Sequence, residues 1–157
     1  MLYIALVILS YFFMEFIAWS NHKYIMHGFL WNWHKDHHLK DAQPDMPLKT
    51  EGKKFEKNDL FFIVYALPGI ILMVTGFLTG NKPMIFIALG ITLYGLTYFI
   101  IHDIIIHKRL NIGFLHKNSN FFIRGIIKAH LAHHKPNNKR DFQNYGLLIF
   151  PLRFFKN

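Results

Sequence analysis

"LFFIVYALPGIILMVTGFLTGNKPMIFIALGITLYGLTYFII", residues 60–101, contains a single charged residue, Lys82. Residues 60–79 and residues 84–101 are each uncharged, and an α-helix needs about 20 apolar residues to cross the hydrocarbon core of a bilayer. Lipid offers the backbone no hydrogen bonds, so a span of this kind is helical. The short turn GNKP, residues 80–83, predicts that the two spans form an antiparallel helical hairpin.

A third apolar run lies near the N-terminus. Residues 2–19 contain one charged residue, Glu15. The run lacks the positively charged start of a signal peptide, and histidines follow it closely, so we expect it to remain as a span. The sequence therefore predicts an all-α integral membrane protein of three to four transmembrane helices, forming one domain over residues 1–157, with spans at about residues 2–20, 60–79 and 84–106.

The basic residues are confined to one side of these spans. The chain has 18 lysines and arginines and a formal charge of +9, and every basic residue except Lys82 falls within residues 23–57 or 108–156. The positive-inside rule predicts that both regions are cytoplasmic. All 11 histidines then lie on the cytoplasmic side or at its membrane edge. Because the basic residues flank apolar spans and form no stripe, we expect contact with anionic lipid and no nucleic acid partner.

Residues 121–134, "FFIRGIIKAHLAHH", are too short and too basic to span a bilayer. On a helix, Arg124 and Lys128 share one face. A different face carries apolar side chains and three imidazoles, those of His130, His133 and His134. The pattern predicts a cytoplasmic interfacial helix with its basic side outward and its imidazoles inward, and a fourth, partly embedded element is possible here.

Ten of the eleven histidines follow two spacings that each occur twice. HxxxxH occurs at His22 and His27 and at His102 and His107, and HxxHH occurs at His34, His37 and His38 and at His130, His133 and His134. Positions i, i+3 and i+4 share a helical face, so two imidazoles of each HxxHH can reach one ion and the third a neighbour. Positions i and i+5 lie roughly 140° apart on an α-helix, where they would serve different ions unless a local π-turn brought them together.

The histidine clusters predict a metal site. Neutral imidazoles buried at a bilayer edge without a partner would be costly, and the absence of cysteine excludes thiolate sites and iron–sulfur clusters. Ligand type alone allows Zn, Cu, Fe or Ni. One zinc ion needs only about four ligands, and the protease signatures HExxH and HxxEH are absent. We favour two redox-active iron ions, which imply O₂ chemistry on an apolar substrate.

Four stretches together resemble one known family: "EFIAWSNHKYIMHGFLWNWHKDHH" (15–38), "GKKFEKNDLFF" (52–62), "HDIIIHKR" (102–109) and "AHLAHH" (129–134). The chain is similar to the bacterial β-carotene 3-hydroxylase family, which belongs to the membrane fatty-acid hydroxylase and sterol desaturase superfamily. The paired histidine motifs are specific to the superfamily. The linking "FEKNDL" and the small size indicate the carotenoid branch.

The resemblance implies an enzyme of the bacterial cytoplasmic membrane with two non-haem iron ions. It would use O₂ and two electrons, delivered by ferredoxin or a similar donor, to hydroxylate C3 of a β-ionone ring. β-Carotene would become β-cryptoxanthin and then zeaxanthin. The resemblance assigns the metal ligands to His22, His27, His34, His37, His38, His102, His107, His130, His133 and His134. His116 lies outside the motifs, and no role is carried over to it.

Other residues near the motifs are candidates for supporting roles. Asp36 and Asp103 could accept N–H bonds from ligand imidazoles, or they could be solvated. Glu15 could be a proton relay or a histidine partner, or it could extend to the membrane interface. Four aromatic residues could line a substrate path or form an interfacial aromatic belt: Trp19, Trp31, Trp33 and Tyr98.

Two other functions remain open from the sequence. One is a fatty-acid or sterol hydroxylase or desaturase of the same superfamily. The other is a membrane metal transporter with no enzymatic activity. Transport would require ligands near the middle of the membrane or on both faces, whereas these histidines are predicted to lie on one side.

Overall fold

The computed structural model describes residues 1–40, 57–110, 112, 120–136 and 142–155. Within these ranges the chain forms helices and turns, with no strand. The α-helices are α1 (Leu2–Ser20), α2 (Trp31–Lys40), α3 (Leu60–Thr79), α4 (Lys82–Tyr98) and α5 (Phe121–His134). α1 continues as a π-helix over Asn21–Phe29, and α4 continues as a π-helix over Phe99–Ile106. Short 3₁₀ turns form at Lys57–Asp59 and Leu152–Phe155.

Three helical stretches are long and apolar enough to cross a membrane: Leu2–Phe29, Lys57–Thr79 and Lys82–Ile106. Large apolar side chains along them face outward, among them Phe77 at 68% exposure. In water such a surface would be costly, whereas in lipid it is the expected exterior. The prediction of an all-helical membrane protein with three to four spans is confirmed, with three such helices among the described residues. That the whole chain forms one domain stays a prediction.

The turn between α3 and α4 forms as its residues dictate. Gly80 ends α3 with φ of 67°, a left-handed conformation that glycine adopts without steric cost. Asn81 then caps α4 by accepting a hydrogen bond from the backbone N–H of Met84, and Pro83 occupies the first turn, where its missing N–H has no consequence. The two spans therefore run antiparallel, as predicted.

α1 packs against α4 through a small residue. A Cβ atom added at Gly90 would collide with the side chain of Ser10 and the carbonyl of Val7. Apolar side chains gain little by leaving lipid, so membrane helices associate through close packing of this kind and through interhelical hydrogen bonds. One such bond joins the Tyr11 hydroxyl to the Thr97 hydroxyl at 3.1 Å.

The two HxxxxH motifs lie at the ends of these spans, where the helices change their winding. The backbone N–H of Leu30 donates to the carbonyl of Ile25, and that of His107 donates to the carbonyl of His102 at 2.9 Å. Both are i→i−5 bonds, which widen the turn so that residues five apart share a face. A local π-turn, one of the two alternatives that the i, i+5 spacing left open, is therefore present in both motifs. Gly28 has non-helical dihedral angles, and the chain then turns into α2.

α5 lies against the end of α4. Ile126 of α5 packs in an apolar cluster with Ile101, Ile106 and Leu147. Its basic residues are exposed and its histidines are buried, which agrees with the predicted faces. α5 is not among the helices that could span a membrane, and its 14 residues fit an interfacial position.

Candidate metal centre

The ten motif histidines converge at one end of the helical bundle. Every one of them is buried except His27, which is half-buried. Nine of them form two groups in which one nitrogen from each ring lies within 4.8 Å of those from the others. The five-histidine cluster contains His22, His27, His34, His38 and His133, and the four-histidine cluster contains His37, His107, His130 and His134.

The HxxHH motifs divide between the two clusters as the spacing predicts. His34 and His38, four residues apart, join the five-histidine cluster, while His37 joins the other. In the second motif, His130 and His134 share the four-histidine cluster and His133 crosses to the first. Each cluster therefore receives an i, i+4 pair from one helix and a single imidazole from the other helix, which ties α2 to α5.

Within the five-histidine cluster, the Nε2 atoms are in close contact. Nε2 of His34 lies 3.0 Å from Nε2 of His22 and 3.0 Å from Nε2 of His38. Nε2 of His27 lies 3.1 Å from Nε2 of His133. These contacts bring together rings from α1, α2 and α5, so the cluster exists only in the folded protein.

The four-histidine cluster has a tenth histidine beside it. Nε2 of His107 lies 3.1 Å from Nε2 of His130. The ring centroid of His102 lies 4.4 Å from that of His107 and 4.8 Å from that of His130, and it stacks on Tyr98 at 4.6 Å. His102 is thus adjacent to the cluster without belonging to its mutually close set of nitrogen atoms.

Oxygen acceptors fix the proton on the outer nitrogen of three rings. Nδ1 of His22 lies 2.9 Å from the carbonyl oxygen of Tyr145, and Nδ1 of His133 lies 2.6 Å from that of Gln143. Nδ1 of His34 lies 2.7 Å from the side-chain oxygen of Asn58. An oxygen acceptor requires Nδ1–H, and a neutral imidazole carries only one proton. The Nε2 atoms of these three rings are therefore bare lone pairs.

This arrangement fits a bound cation. Two bare nitrogens repel each other at 3.0 Å, the separation of Nε2 in His22 and His34, unless a positive charge lies between or beside them. Burial lowers the pKa of His34 and of His133 well below the ordinary value, so both rings are neutral at physiological pH. Neutral imidazole is the form that binds metals. The donor set suits ions that accept nitrogen ligands, and each cluster is a group of side chains that could hold a metal ion.

The predicted supporting acids occupy three different positions. The Asp103 carboxylate lies 3.5 Å from Nδ1 of His102 and also binds Arg109 at 3.2 Å, so it faces a motif imidazole as the sequence suggested. Arg109 binds Asp59 through both of its terminal nitrogens. Asp36 is half-buried on α2 and makes no hydrogen bond or ion pair with the residues that the structure describes.

Glu15 binds backbone N–H groups and a tyrosine hydroxyl. A histidine partner was one of the expectations for this residue, and the structure shows none among its hydrogen bonds in the described residues. Its Oε1 accepts hydrogen bonds from the backbone N–H groups of Leu147, Leu148 and Ile149 at 2.8–3.0 Å. Its Oε2 accepts one from the hydroxyl of Tyr94 at 2.8 Å. The residue is 2% exposed, so it does not extend to the membrane interface.

Sequence reasoning did not find the acceptors that orient the imidazoles. Two of these acceptors are the backbone carbonyls of Gln143 and Tyr145. Every residue has a backbone carbonyl, so the sequence does not indicate which of them accepts a hydrogen bond. Asn58 lies within the "FEKNDL" stretch, just ahead of α3. That position was the only feature of the sequence that could have indicated its role as a histidine partner. His116 and residues 41–56 lie outside the described residues.

An apolar cavity of about 800 Å³ lies among α1, α3 and α4. One end is polar and reaches His22, His102 and Asn58. Asp59, Asp103 and Arg109 also line the cavity. Most of the remaining lining is apolar, and it includes Phe62 and Leu96, which are 62% and 53% exposed on the outer surface. The cavity therefore connects the histidines with the lipid-facing side of the helices, and its volume is within the roughly 300–1,000 Å³ range of small-molecule sites.

The four predicted path residues divide between the cavity and its surroundings. Tyr98 lines the cavity. Trp31 lies over the five-histidine cluster, 5.2 Å from the ring of His27. Trp33 packs 6.1 Å from Phe61, and Trp19 contacts the ring of Tyr24 and the ammonium group of Lys23.

Comparison with known proteins places this architecture in a family. A family model described as fatty acid hydroxylase matches residues 7–155. The beta-carotene hydroxylase of Pantoea ananas is 36% identical over 138 residues, covering 88% of this chain and 71% of that protein. The beta-carotene hydroxylase of Pseudescherichia vulneris is 36% identical over 143 residues, covering 91% of this chain and 74% of that protein.

A plant protein is similar as well. The chloroplastic beta-carotene 3-hydroxylase 2 of Arabidopsis thaliana is 36% identical over 141 residues, covering 88% of this chain and 42% of that protein. No solved structure shows significant similarity to the chain. The matched model covers nearly the whole sequence, and the resemblance inferred from the motifs is confirmed. The chain therefore belongs to the fatty acid hydroxylase family, and it is an oxidoreductase with membrane-spanning helices.

Proposed function

We propose that this protein is a carotenoid hydroxylase that binds two iron ions and uses O₂ to hydroxylate C3 of the β-ionone rings of β-carotene. The observation that carries the proposal is an apolar cavity among membrane-spanning helices whose polar end is lined by His22 of the five-histidine cluster and by His102, which lies beside the four-histidine cluster. Hydroxylation of a hydrocarbon in the membrane needs such a connection, because the substrate reaches the metal only through lipid.

The two clusters would each hold one ion. Bound there, iron would supply the activation of O₂ for insertion of one oxygen atom into a C–H bond, with two electrons from a donor. The protein's part is to orient the imidazoles through the acceptors on Nδ1 and to keep the site dry. His102 would complete the ligand set that the resemblance implies, next to the four-histidine cluster.

The cavity supports a carotenoid substrate. Its lining extends from Asn58, just ahead of α3, to Ile70 on α3, about 18 Å at about 1.5 Å per residue. A carotenoid with a ring at each end is roughly 30 Å long, similar to the hydrocarbon core of a bilayer. One end ring and the adjacent polyene would therefore enter at a time, so the two hydroxylations, first to β-cryptoxanthin and then to zeaxanthin, would be separate binding events.

A fatty-acid substrate fits the described cavity less well. Arg109 is the basic residue in the lining that the structure describes, and its guanidinium group is engaged by Asp59 and Asp103. A carboxylate head group would have to displace one of these acids. A carotene has no charged group and requires no such displacement, which favours it over a fatty acid.

The distribution of basic residues supports a proposal for the membrane orientation and for the class of electron donor. We place the histidine end in the cytoplasm, since the basic residues flank it. Arg124 and Lys128 are exposed on α5, the helix that also supplies His130 and His134 of the four-histidine cluster. A basic surface there would attract an acidic donor such as ferredoxin as well as anionic lipid.

Expression in cells that accumulate β-carotene tests the function. We expect β-cryptoxanthin and zeaxanthin to form in air and not under argon. His34→Ala should abolish both products while the protein remains in the membrane fraction at the wild-type amount. Formation of hydroxylated fatty acids without any hydroxylated carotenoid would overturn the proposal, and so would zinc or copper in place of about two irons per purified chain.

A further inference from the structure

Glu15 is a buried carboxylate that no step of the proposed reaction uses. Its Oε1 atom receives three successive backbone N–H groups, from residues 147 to 149, and its Oε2 atom receives the Tyr94 hydroxyl. Three convergent N–H groups form an anion-binding concavity. The carboxylate therefore fastens the chain segment 142–150, here called the strap, to α1.

The strap carries the groups that orient two histidines. The carbonyl of Tyr145 accepts from Nδ1 of His22, and the carbonyl of Gln143 accepts from Nδ1 of His133. These carbonyls lie two and four residues before Leu147, the first strap residue that donates to Glu15. Both histidines belong to the five-histidine cluster. The strap also covers that cluster, since the ring of Phe142 lies 4.4 Å from that of His27.

The strap approaches Glu15 closely because of a glycine. A Cβ atom added at Gly146 would lie 2.8 Å from Oε1 of Glu15 and 3.0 Å from the carbonyl oxygen of Ile149. The first contact is shorter than a side-chain carbon tolerates, and the second is tight enough that the neighbouring carbonyl would have to shift. Any larger residue there would move the strap away from the carboxylate, without changing a charge or touching a histidine.

We propose that Glu15 is a positioning residue that, through the strap, holds His22 and His133 with bare Nε2 atoms and so secures the metal ion of the five-histidine cluster. The proposal rests on the proposed function only for the identity and number of the ions. It explains why an ionised group is buried in a membrane-spanning helix, where a charge is costly unless hydrogen bonds compensate it.

Iron retention by the purified full-length protein tests the proposal. Glu15→Gln keeps the size of the side chain, but it removes the negative charge that the N–H groups bind. Removing the hydrogen-bond partner of a metal-binding side chain lowers metal affinity roughly 10–100-fold. Glu15→Gln should therefore lose one iron per chain at a 10–100-fold lower chelator concentration than wild type. The second iron should be lost at the same chelator concentration in the variant and in wild type.

Two further variants make the test specific. Gly146→Ala should reproduce the selective loss of one iron, because it displaces the strap by contact alone. Tyr11→Phe removes a hydrogen bond between α1 and α4, one helical turn before Glu15, and should retain both irons. Equal loss of both irons in Glu15→Gln would indicate general destabilisation and would overturn the proposal, as would wild-type retention.

A readout without metal separates this proposal from the proposed function. In metal-free protein labelled with nitrogen-15, NMR of the histidine rings reports which nitrogen carries the proton. We expect Nδ1–H for His22 and His133 in wild type and a mixture of tautomers in Glu15→Gln and Gly146→Ala. Unchanged tautomers in both variants would overturn the role of Glu15. Fewer than two irons in the wild-type protein would contradict the two-iron centre alone.

Discussion

Nε2 of His22 lies 3.0 Å from Nε2 of His34, although each ring already donates its single proton to an oxygen on its opposite side. Two lone pairs directed at each other in a buried site are unfavourable without a positive charge. The fold thus holds these rings in a geometry that a cation stabilises.

Removal of the metal should destabilise the protein. Without cations, the bare nitrogens of His22 and His34 repel each other, and the folded state loses the binding free energy, about 2.7 kcal/mol for each site when the ion is present at a hundredfold excess over Kd. We expect a strong chelator to lower the midpoint of thermal unfolding in detergent by several degrees. Readdition of Fe²⁺ should restore the midpoint, and an unchanged midpoint on full iron removal would contradict the prediction.

Asn58 should affect metal retention through His34. Asn58→Leu removes the acceptor for Nδ1 of His34, so the ring can turn or change tautomer. We expect metal affinity at the five-histidine cluster to fall roughly 10–100-fold, measured as iron retained against increasing chelator. Asn58→Asp keeps an oxygen acceptor at this position and serves as the matched control, with retention close to wild type. Equal losses in the two variants would show that the acceptor is not what matters.

Gly95 should control access to the cavity. It lines the cavity, and a Cβ atom added there meets no other atom within 4 Å. A side chain can therefore begin at this position without displacing the backbone, and Gly95→Phe should place a ring in the cavity. We expect at least a tenfold loss of hydroxylated carotenoid with unchanged iron content. Leu89→Phe adds bulk to an exposed position of α4 outside the cavity lining, and should leave product formation unchanged. Wild-type product from Gly95→Phe would exclude this cavity as the substrate path.

Arg109 should stabilise the junction between α3 and the end of α4. Its guanidinium group binds both oxygens of Asp59 and one oxygen of Asp103, a fork that lysine cannot reproduce. We expect Arg109→Lys to lower the free energy of unfolding by roughly 1.5–3 kcal/mol, as for hydrogen bonds to charged groups. Thermal unfolding in detergent measures the change. Lys108→Gln removes a neighbouring charge and should have a much smaller effect.

The spans and the local geometry of the motifs were predictable because their causes are local. The uncharged run at residues 60–79 forms α3 over the same residues, since hydropathy alone selects a helix in lipid. The i, i+5 spacing of His22 and His27 left a π-turn as one of two alternatives, and that turn forms there. The HxxHH spacing predicted that two imidazoles of each motif can share one site while the third reaches a neighbouring site, and the two clusters are divided in this way. The family followed from the same motifs and is confirmed by the relatives.

The supporting residues were less predictable. Asp103 faces a motif histidine as expected, whereas Glu15 binds the strap, a contact between residues 132 positions apart. The position of Glu15 on α1 could be read from the sequence. Which later segment of the chain would pack over its carboxylate could not. The cavity was equally hidden, because its walls come from three helices whose relative rotation the hydropathy pattern leaves open.

The sequence by itself determined that this chain spans a membrane, that its histidines gather beside the ends of the spans, and which residues are able to bind metal. Hydropathy and helical periodicity depend on a few neighbouring residues, so both can be read directly from the sequence. Only the tertiary structure decided which histidines share a cluster, which oxygen holds each Nδ1 proton, and where an apolar cavity meets the metal centre. Those depend on packing between distant segments, such as His22 and Tyr145, 123 positions apart, and no local pattern records them.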